Sequence, residues 1–225
     1  MTDKIHSWRK CPLGQHWRNG HPMRTPSGRI VQRRGGCVHN PSGKDQIYAD
    51  EMQIISASEF LKLTGAPAKK TLGFSQGNKF DNDIRGWCKY WNDVFKDKHP
   101  VDPDLVKALI ATESGFRASV KIKDGKGQGH ATGLMQITDT TRKILSDEDG
   151  EIKDHLVNVS EGDLKHPSLN IASGIRWLFH KKDLASKRLR RDATWEETIM
   201  MYKGYKQKSH PQMIKFLKIY QELKK

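Results

Sequence analysis

The chain has 225 residues, 35% of them apolar, and a formal net charge of +14. That length holds one medium domain, or a core of about 150 residues with a small appendage. No stretch approaches the roughly 18 to 20 apolar residues that cross a bilayer, which excludes a membrane-spanning helix, and the charge favours polyanionic partners, nucleic acid or an anionic cell wall, without fixing a fold.

Residues 1–47 are rich in Gly, Pro, Arg, His and Cys and show neither a helical nor a strand period. The first ten, Met1 to Lys10, carry no apolar core of a secretory signal peptide. Up to position 45 there are nine Lys or Arg (Lys4, Arg9, Lys10, Arg18, Arg24, Arg29, Arg33, Arg34, Lys44) against Asp3 and Asp45, so half the net charge sits in a fifth of the chain. The three cysteines, Cys11, Cys37 and Cys88, do not make a disulfide framework. One bridge, a zinc site built from Cys11, His16, His21, Cys37 and His39, or free thiols all stay open, although that spacing is not one of a known finger. The arm with Trp8 and Trp17 suits nucleic acid, cell wall, a delivery partner or simple solvation.

Residues 48–77 begin with a short apolar-periodic piece, Met52, Ile55, Phe60 and Leu61, and loosen into Gly65-Ala66-Pro67 and Ser75-Gln76-Gly77, which reads as a linker. From residue 78 to 225 helical periods alternate with breakers. Phe80, Ile84, Trp87, Cys88, Trp91, Val94 and Phe95 form one broad face of a helix that ends by Pro100, with Cys88 a core thiol. Asp102-Pro103 caps and opens a second helix with Leu105, Val106, Leu109 and Ile110 on its buried stripe, and Gly115 stops it. That stripe carries Glu113 to the helix C-terminus, where burial and the helix dipole both disfavour a negative charge and so favour the protonated form a general acid needs.

A Lys- and Gly-rich loop, 121–129, leads to Gly133-Leu134-Met135-Gln136-Ile137 and then a helix with Ile144 and Leu145. Pro167 opens a helix with Leu169, Ile171, Ile175, Leu178 and Phe179. Thr194-Trp195-Glu196-Glu197 is a capping box for a helix ending near Gly204. Pro211 opens the last helix, with Ile214, Leu217 and Tyr220 on one face. The only strand expected in this half lies near Val157 to Val159.

Four segments stand in order: Ala111-Thr112-Glu113-Ser114-Gly115-Phe116, Gly133-Leu134-Met135-Gln136-Ile137-Thr138, Asn170-Ile171-Ala172-Ser173-Gly174-Ile175-Arg176-Trp177-Leu178, and Met201-Tyr202-Lys203-Gly204. Together they resemble the catalytic domain of the soluble lytic transglycosylases, a lysozyme-like family related to goose-type lysozyme, over about residues 80–225. The resemblance implies a lysozyme-like helical domain over 78–225; with the helix and linker (48–77) and the small irregular basic Cys/His-containing module (1–47) read from composition, the chain is expected to be mainly α. It implies Glu113 as catalytic acid and base, with Ser114, Met135, Gln136, Ile137, Asn170 and Tyr202 as substrate contacts. No cofactor and no metal ligand is assigned.

The family often reads Ala-Tyr-Asn-x-Gly at the last motif, where this chain has Lys203 after Tyr202. A lysine there could reach a muramyl or peptide carboxylate. Most glycosidases add a second carboxylate, but the residue after Ile137 is Thr138, and neither Asp124 nor Asp139 falls where the goose-type pattern puts an acid. The expected chemistry is therefore non-hydrolytic cleavage of peptidoglycan glycan strands to 1,6-anhydro-muramoyl ends. Rival readings are a hydrolytic lysozyme on the same fold and a wall- or nucleic-acid-binding protein, with the motifs favouring wall over nucleic acid. A wall substrate without a visible leader points to non-Sec delivery, as a phage enzyme or a secreted effector, and to delivery machinery or an inhibitor protein as further partners.

Overall fold

The structure, a computed structural model, describes residues 8–125 and 127–225. Asp3 and Lys4 of the basic segment, and most of the stretch examined for a leader, lie outside the described residues.

Helices dominate, as expected: α1 (Ala49–Glu59), α2 (Asp81–Phe95), α3 (Pro103–Glu113), α4 (Asp139–Ser146), α5 (Pro167–Leu189), α6 (Trp195–Lys203) and α7 (Pro211–Lys224). Their ends follow local chemistry. The Asp102 side chain accepts the Asp104 N–H at 3.0 Å with Pro103 in the first turn of α3. Thr138 caps α4 through the Thr141 N–H, and Thr194 and Glu197 complete a reciprocal capping box on α6. Gly204, at φ 72°, ends α6 in the left-handed conformation.

The N-terminal module is more regular than its composition suggested. Strand β1 (Gln15–Arg18) pairs antiparallel with β4 (Gly36–His39), and β2 (His21–Arg24) with β3 (Ile30–Arg33). These strands are only four residues long, too short for alternation to stand out in the sequence. Cys11 and Cys37 form a disulfide. With both thiols consumed the zinc alternative loses its sulfur ligands, and no group of three or more His, Cys, Asp or Glu gathers to hold a metal among the described residues.

The module is tied to the helical domain. Arg9 is buried, with its guanidinium donating to Glu51 Oε2 at 2.9 Å, to the carbonyls of Gln15 and Gln46 at 2.7 and 2.9 Å, and pairing with Asp45. Trp8 donates to Asp93 at 2.9 Å and packs edge-on against Phe60 and Tyr90. These two members of the basic, aromatic arm are therefore structural, whereas Arg18, Arg24, Arg29, Arg33 and Arg34 are exposed. Strand β5 (Gln46–Tyr48) pairs in parallel with β9 (Leu156–Asn158), the strand expected near Val157.

Residues 48–77, read as a short helix and a linker, also pack into the core. Met52, Ile55 and Phe60 are buried. Ala68 donates its N–H to Asp104 at 2.7 Å and offers its carbonyl to the buried Lys107 ammonium at 2.7 Å. Composition could not reveal this, because the partners are polar groups on α3 that need satisfaction only once buried. Helices α2 and α5 form the centre, where Trp87 Nε1 donates to Ser168 Oγ at 2.8 Å and Trp91 Nε1 to the Ala172 carbonyl at 2.9 Å. Cys88 lies there as a buried free thiol.

Between α3 and α4 the chain forms a small antiparallel sheet, β6 (Lys121–Lys123), β7 (His130–Thr132) and β8 (Ile137–Thr138), where only a loop was expected. Among the described residues no helix is long and apolar enough to cross a membrane.

Candidate active site

Glu113 is the last residue of α3. Beyond it Ser114 leaves helical geometry, and Gly115 and Phe116 take positive φ values of 58° and 61°, turning the chain away. The turn leaves the Glu113 side chain 19% exposed at the wall of a cavity of about 530 Å³. Gln136, Ile137, Trp177, Tyr202 and Lys203 share that wall.

The Gly133-to-Ile137 segment is held from below by α5. Asn170 is fully buried and all its polar capacity is directed at this segment and its neighbours. Its Oδ1 accepts the Met135 N–H at 2.8 Å, and its Nδ2 donates to the carbonyls of Thr132 and Leu164, each at 2.9 Å. Gly133 stands at φ 78°, and a Cβ there would lie 2.2 Å from Asn170 Nδ2. One turn along α5, a Cβ on Gly174 would lie 2.3 Å from Met135 Sδ. The small residue lets Met135 bury completely. Gln136 is then forced to φ 51° and turns back to donate from Nε2 to the Gly133 carbonyl at 2.8 Å.

Helix α6 closes the opposite side. Tyr202 donates its hydroxyl to the Met135 carbonyl at 2.6 Å. Burial pushes that phenol well above its ordinary range, and the negative charge of Glu113 adds to it. The same two causes raise Tyr205, also on the cavity wall. Lys203, whose side chain is only 3% exposed, places Nζ against Glu113 Oε1 in an ion pair. The hostile surroundings expected for the Glu113 charge thus contain a compensating cation.

Of the site residues expected from sequence, the cavity wall brings together Glu113, Gln136, Ile137 and Tyr202. Ser114, Met135 and Asn170 do not line it. They are buried, with the Ser114 hydroxyl donating to the Ile110 carbonyl at 3.3 Å. Lys203 is central, although the sequence marked it only as a departure. Trp177, two turns beyond Asn170 on α5, was quoted in its motif without a role and also lines the wall.

Two further carboxylates line the cavity, Asp124 and Glu151, the latter paired with His180 at 3.2 Å. Asp139 does not line it. Its carboxylate accepts the His130 N–H at 2.8 Å, and that hydrogen bond holds it below the usual range.

A family model described as Transglycosylase SLT domain matches residues 91–208, more than half of the chain, and spans all four site segments. Comparison with curated proteins and with solved structures gave no match. With a helical frame and a carboxylate at the mouth of its cavity, the chain belongs to the SLT transglycosylase family, the lysozyme-like lytic transglycosylases of peptidoglycan.

Proposed function

We propose that this chain cleaves the β-1,4 bond between N-acetylmuramoyl and N-acetylglucosaminyl units without consuming water, leaving 1,6-anhydro-muramoyl ends. The observation that carries the reading is the placement of Glu113 on a cavity wall shared with Gln136, Ile137 and Tyr202. A single carboxyl group then serves twice. Glu113 gives its proton to the glycosidic oxygen as the C1–O bond breaks, and the N-acetyl carbonyl of the same sugar stabilises the cationic C1. The C6 hydroxyl attacks C1 and passes its proton to the Glu113 carboxylate, which restores the acid. In that second half Glu113 acts as the base, and in the structure its carboxylate is ion-paired with Lys203.

Hydrolysis is the second reading, because Asp124 lies on the same cavity wall and a carboxylate there could activate water. The Cys11–Cys37 bridge supports action outside the reducing cytosol, as a wall substrate requires.

The test is mass spectrometry of products released from purified peptidoglycan by the wild type and by Glu113→Gln. Anhydro-muropeptides from the wild type, absent with the variant, support the proposal. Reducing-end products transfer the assignment to a lysozyme, and release by the Glu113→Gln protein removes Glu113 from the mechanism.

A further inference from the structure

The Lys203 side chain is almost wholly buried at the end of α6, with Nζ ion-paired to Glu113. Gly204, at φ 72°, stops the helix directly after it, and the Tyr202 hydroxyl fixes the preceding residue to the Met135 carbonyl. The other charged groups around the cavity are Lys123 and Asp124 on the side of β6, and Glu151 and Lys181 across from them. The Lys181 ammonium lies 4.2 Å from the centre of the Trp177 ring, and Glu151 pairs with His180. Lys203 is the cation that meets the Glu113 carboxylate.

This pair conflicts with the acid step. Protonating Glu113 would remove the anionic partner of a buried ammonium, and an uncompensated buried charge is strongly unfavourable. The conflict disappears if another carboxylate takes the place of Glu113 beside Lys203. The substrate can supply one. The muramoyl unit bears a lactyl ether at O3, close to the C1 that reacts, and its carboxyl is free on peptide-stripped strands. Peptide-bearing strands carry carboxylates farther out, on the stem peptide.

We infer that Lys203 is a specificity residue that exchanges Glu113 for an acidic substituent of the muramoyl unit, releasing Glu113 to act as the acid only over an anionic glycan. The inference rests on the transglycosylase reading of this cavity and adds to it a recognised chemical group. It also gives a physical use for a lysine where the family pattern has an asparagine.

Calorimetric titration of the full chain tests it with three ligands: GlcNAc-MurNAc with a free lactyl carboxylate, the same disaccharide with its stem peptide, and the neutral GlcNAc-GlcNAc. None contains the scissile MurNAc-GlcNAc bond. Glu113→Gln should bind the free-lactyl disaccharide about tenfold tighter than the wild type, because the amide no longer competes for the ammonium. The neutral disaccharide should bind both proteins alike, and Lys203→Met should lose the preference for the acidic ligand. A preference retained for the peptide-bearing ligand would assign the carboxylate to the stem peptide, and one confined to the free-lactyl ligand would assign it to the lactyl group. The exchange is overturned if Glu113→Gln leaves the acidic affinity unchanged, a comparison that does not depend on any change at Lys203. It is equally overturned if a folded Lys203→Met protein keeps the wild-type preference. Digestion products that ignore Glu113 would instead sink the mechanism and leave these affinities standing.

Discussion

Asn170 Oδ1 accepts the backbone N–H of Met135 at 2.8 Å, so the side of the cavity formed by residues 133–137 is tied to the start of α5 as well as to its neighbouring strand. The same amide ties the carbonyls of Thr132 and Leu164. Asn170→Ala would leave the Met135 N–H and both carbonyls buried without their partner. A buried donor left unpaired costs about 1–3 kcal/mol, and we expect a total loss of about 3 kcal/mol on chemical unfolding. Glycan cleavage should fall even well below the melting temperature. An unchanged stability would show that this amide does not hold the segment.

Gly174 and Met135 should be energetically coupled. Because a Cβ at 174 would lie 2.3 Å from Met135 Sδ, Gly174→Ala must displace the methionine or the helix. Overpacking of this kind costs about 1–3 kcal/mol. In combination with Met135→Ala part of that cost should return, and a double-mutant cycle would measure it. Strict additivity would mean that the two residues do not compete for the same space.

The disulfide gives a thiol-counting prediction. Cys88 is fully buried, and burial pushes its thiol well above the ordinary range, so the native protein should expose no reactive thiol. Unfolding without reductant should expose one, and unfolding with reductant three. Cys11 and Cys37 close a loop with a sequence separation of 26, for which chain entropy gives about 3.5 kcal/mol. A Cys11→Ser/Cys37→Ser protein should lose up to about that amount. Three thiols titrating in the unreduced, unfolded chain would refute the bridge.

Glu197 makes part of the stability depend on acid. Hydrogen bonds from the Arg191 guanidinium, and after them the Thr194 N–H at 2.9 Å, hold its carboxyl down to about 2, against an ordinary 4.5. A carboxyl lowered in the folded state stabilises above its unfolded value and loses that stabilisation as pH falls toward its folded value. Arg191 is half exposed, so the contribution is set at about 1 kcal/mol after solvent screening. Glu197→Gln should therefore be less stable than the wild type at pH 7. The gap should narrow from about pH 4.5 down toward 2, as urea unfolding across that range would show. A gap that stays constant through the range would remove the charge from the account.

Much of the helical frame was legible because its signals are local. The Asp102-Pro103 start, the Thr194 and Glu197 capping box and the apolar face of α2 each lie within a few turns, and the structure shows all three. The short strands were not legible, since three or four residues paired with distant segments carry too little period of their own. The linker reading of 65–77 failed to foresee that Asp104 and Lys107 would recruit Ala68 from across the sequence.

The class of fold, the order of the site segments and the position of Glu113 at a helix end can all be read from the amino-acid string alone. Helix caps and apolar periods act between neighbours along the chain, and a motif is a property of the string. Which motif residues line the cavity and which lie buried behind it depends on long-range packing. Asn170, Met135 and Ser114 are buried behind the cavity wall, Lys203 is the ion-pair partner of Glu113, and Cys11 the partner of Cys37. Those outcomes depend on which groups burial brings together from opposite ends of the chain, where each polar atom must find a partner.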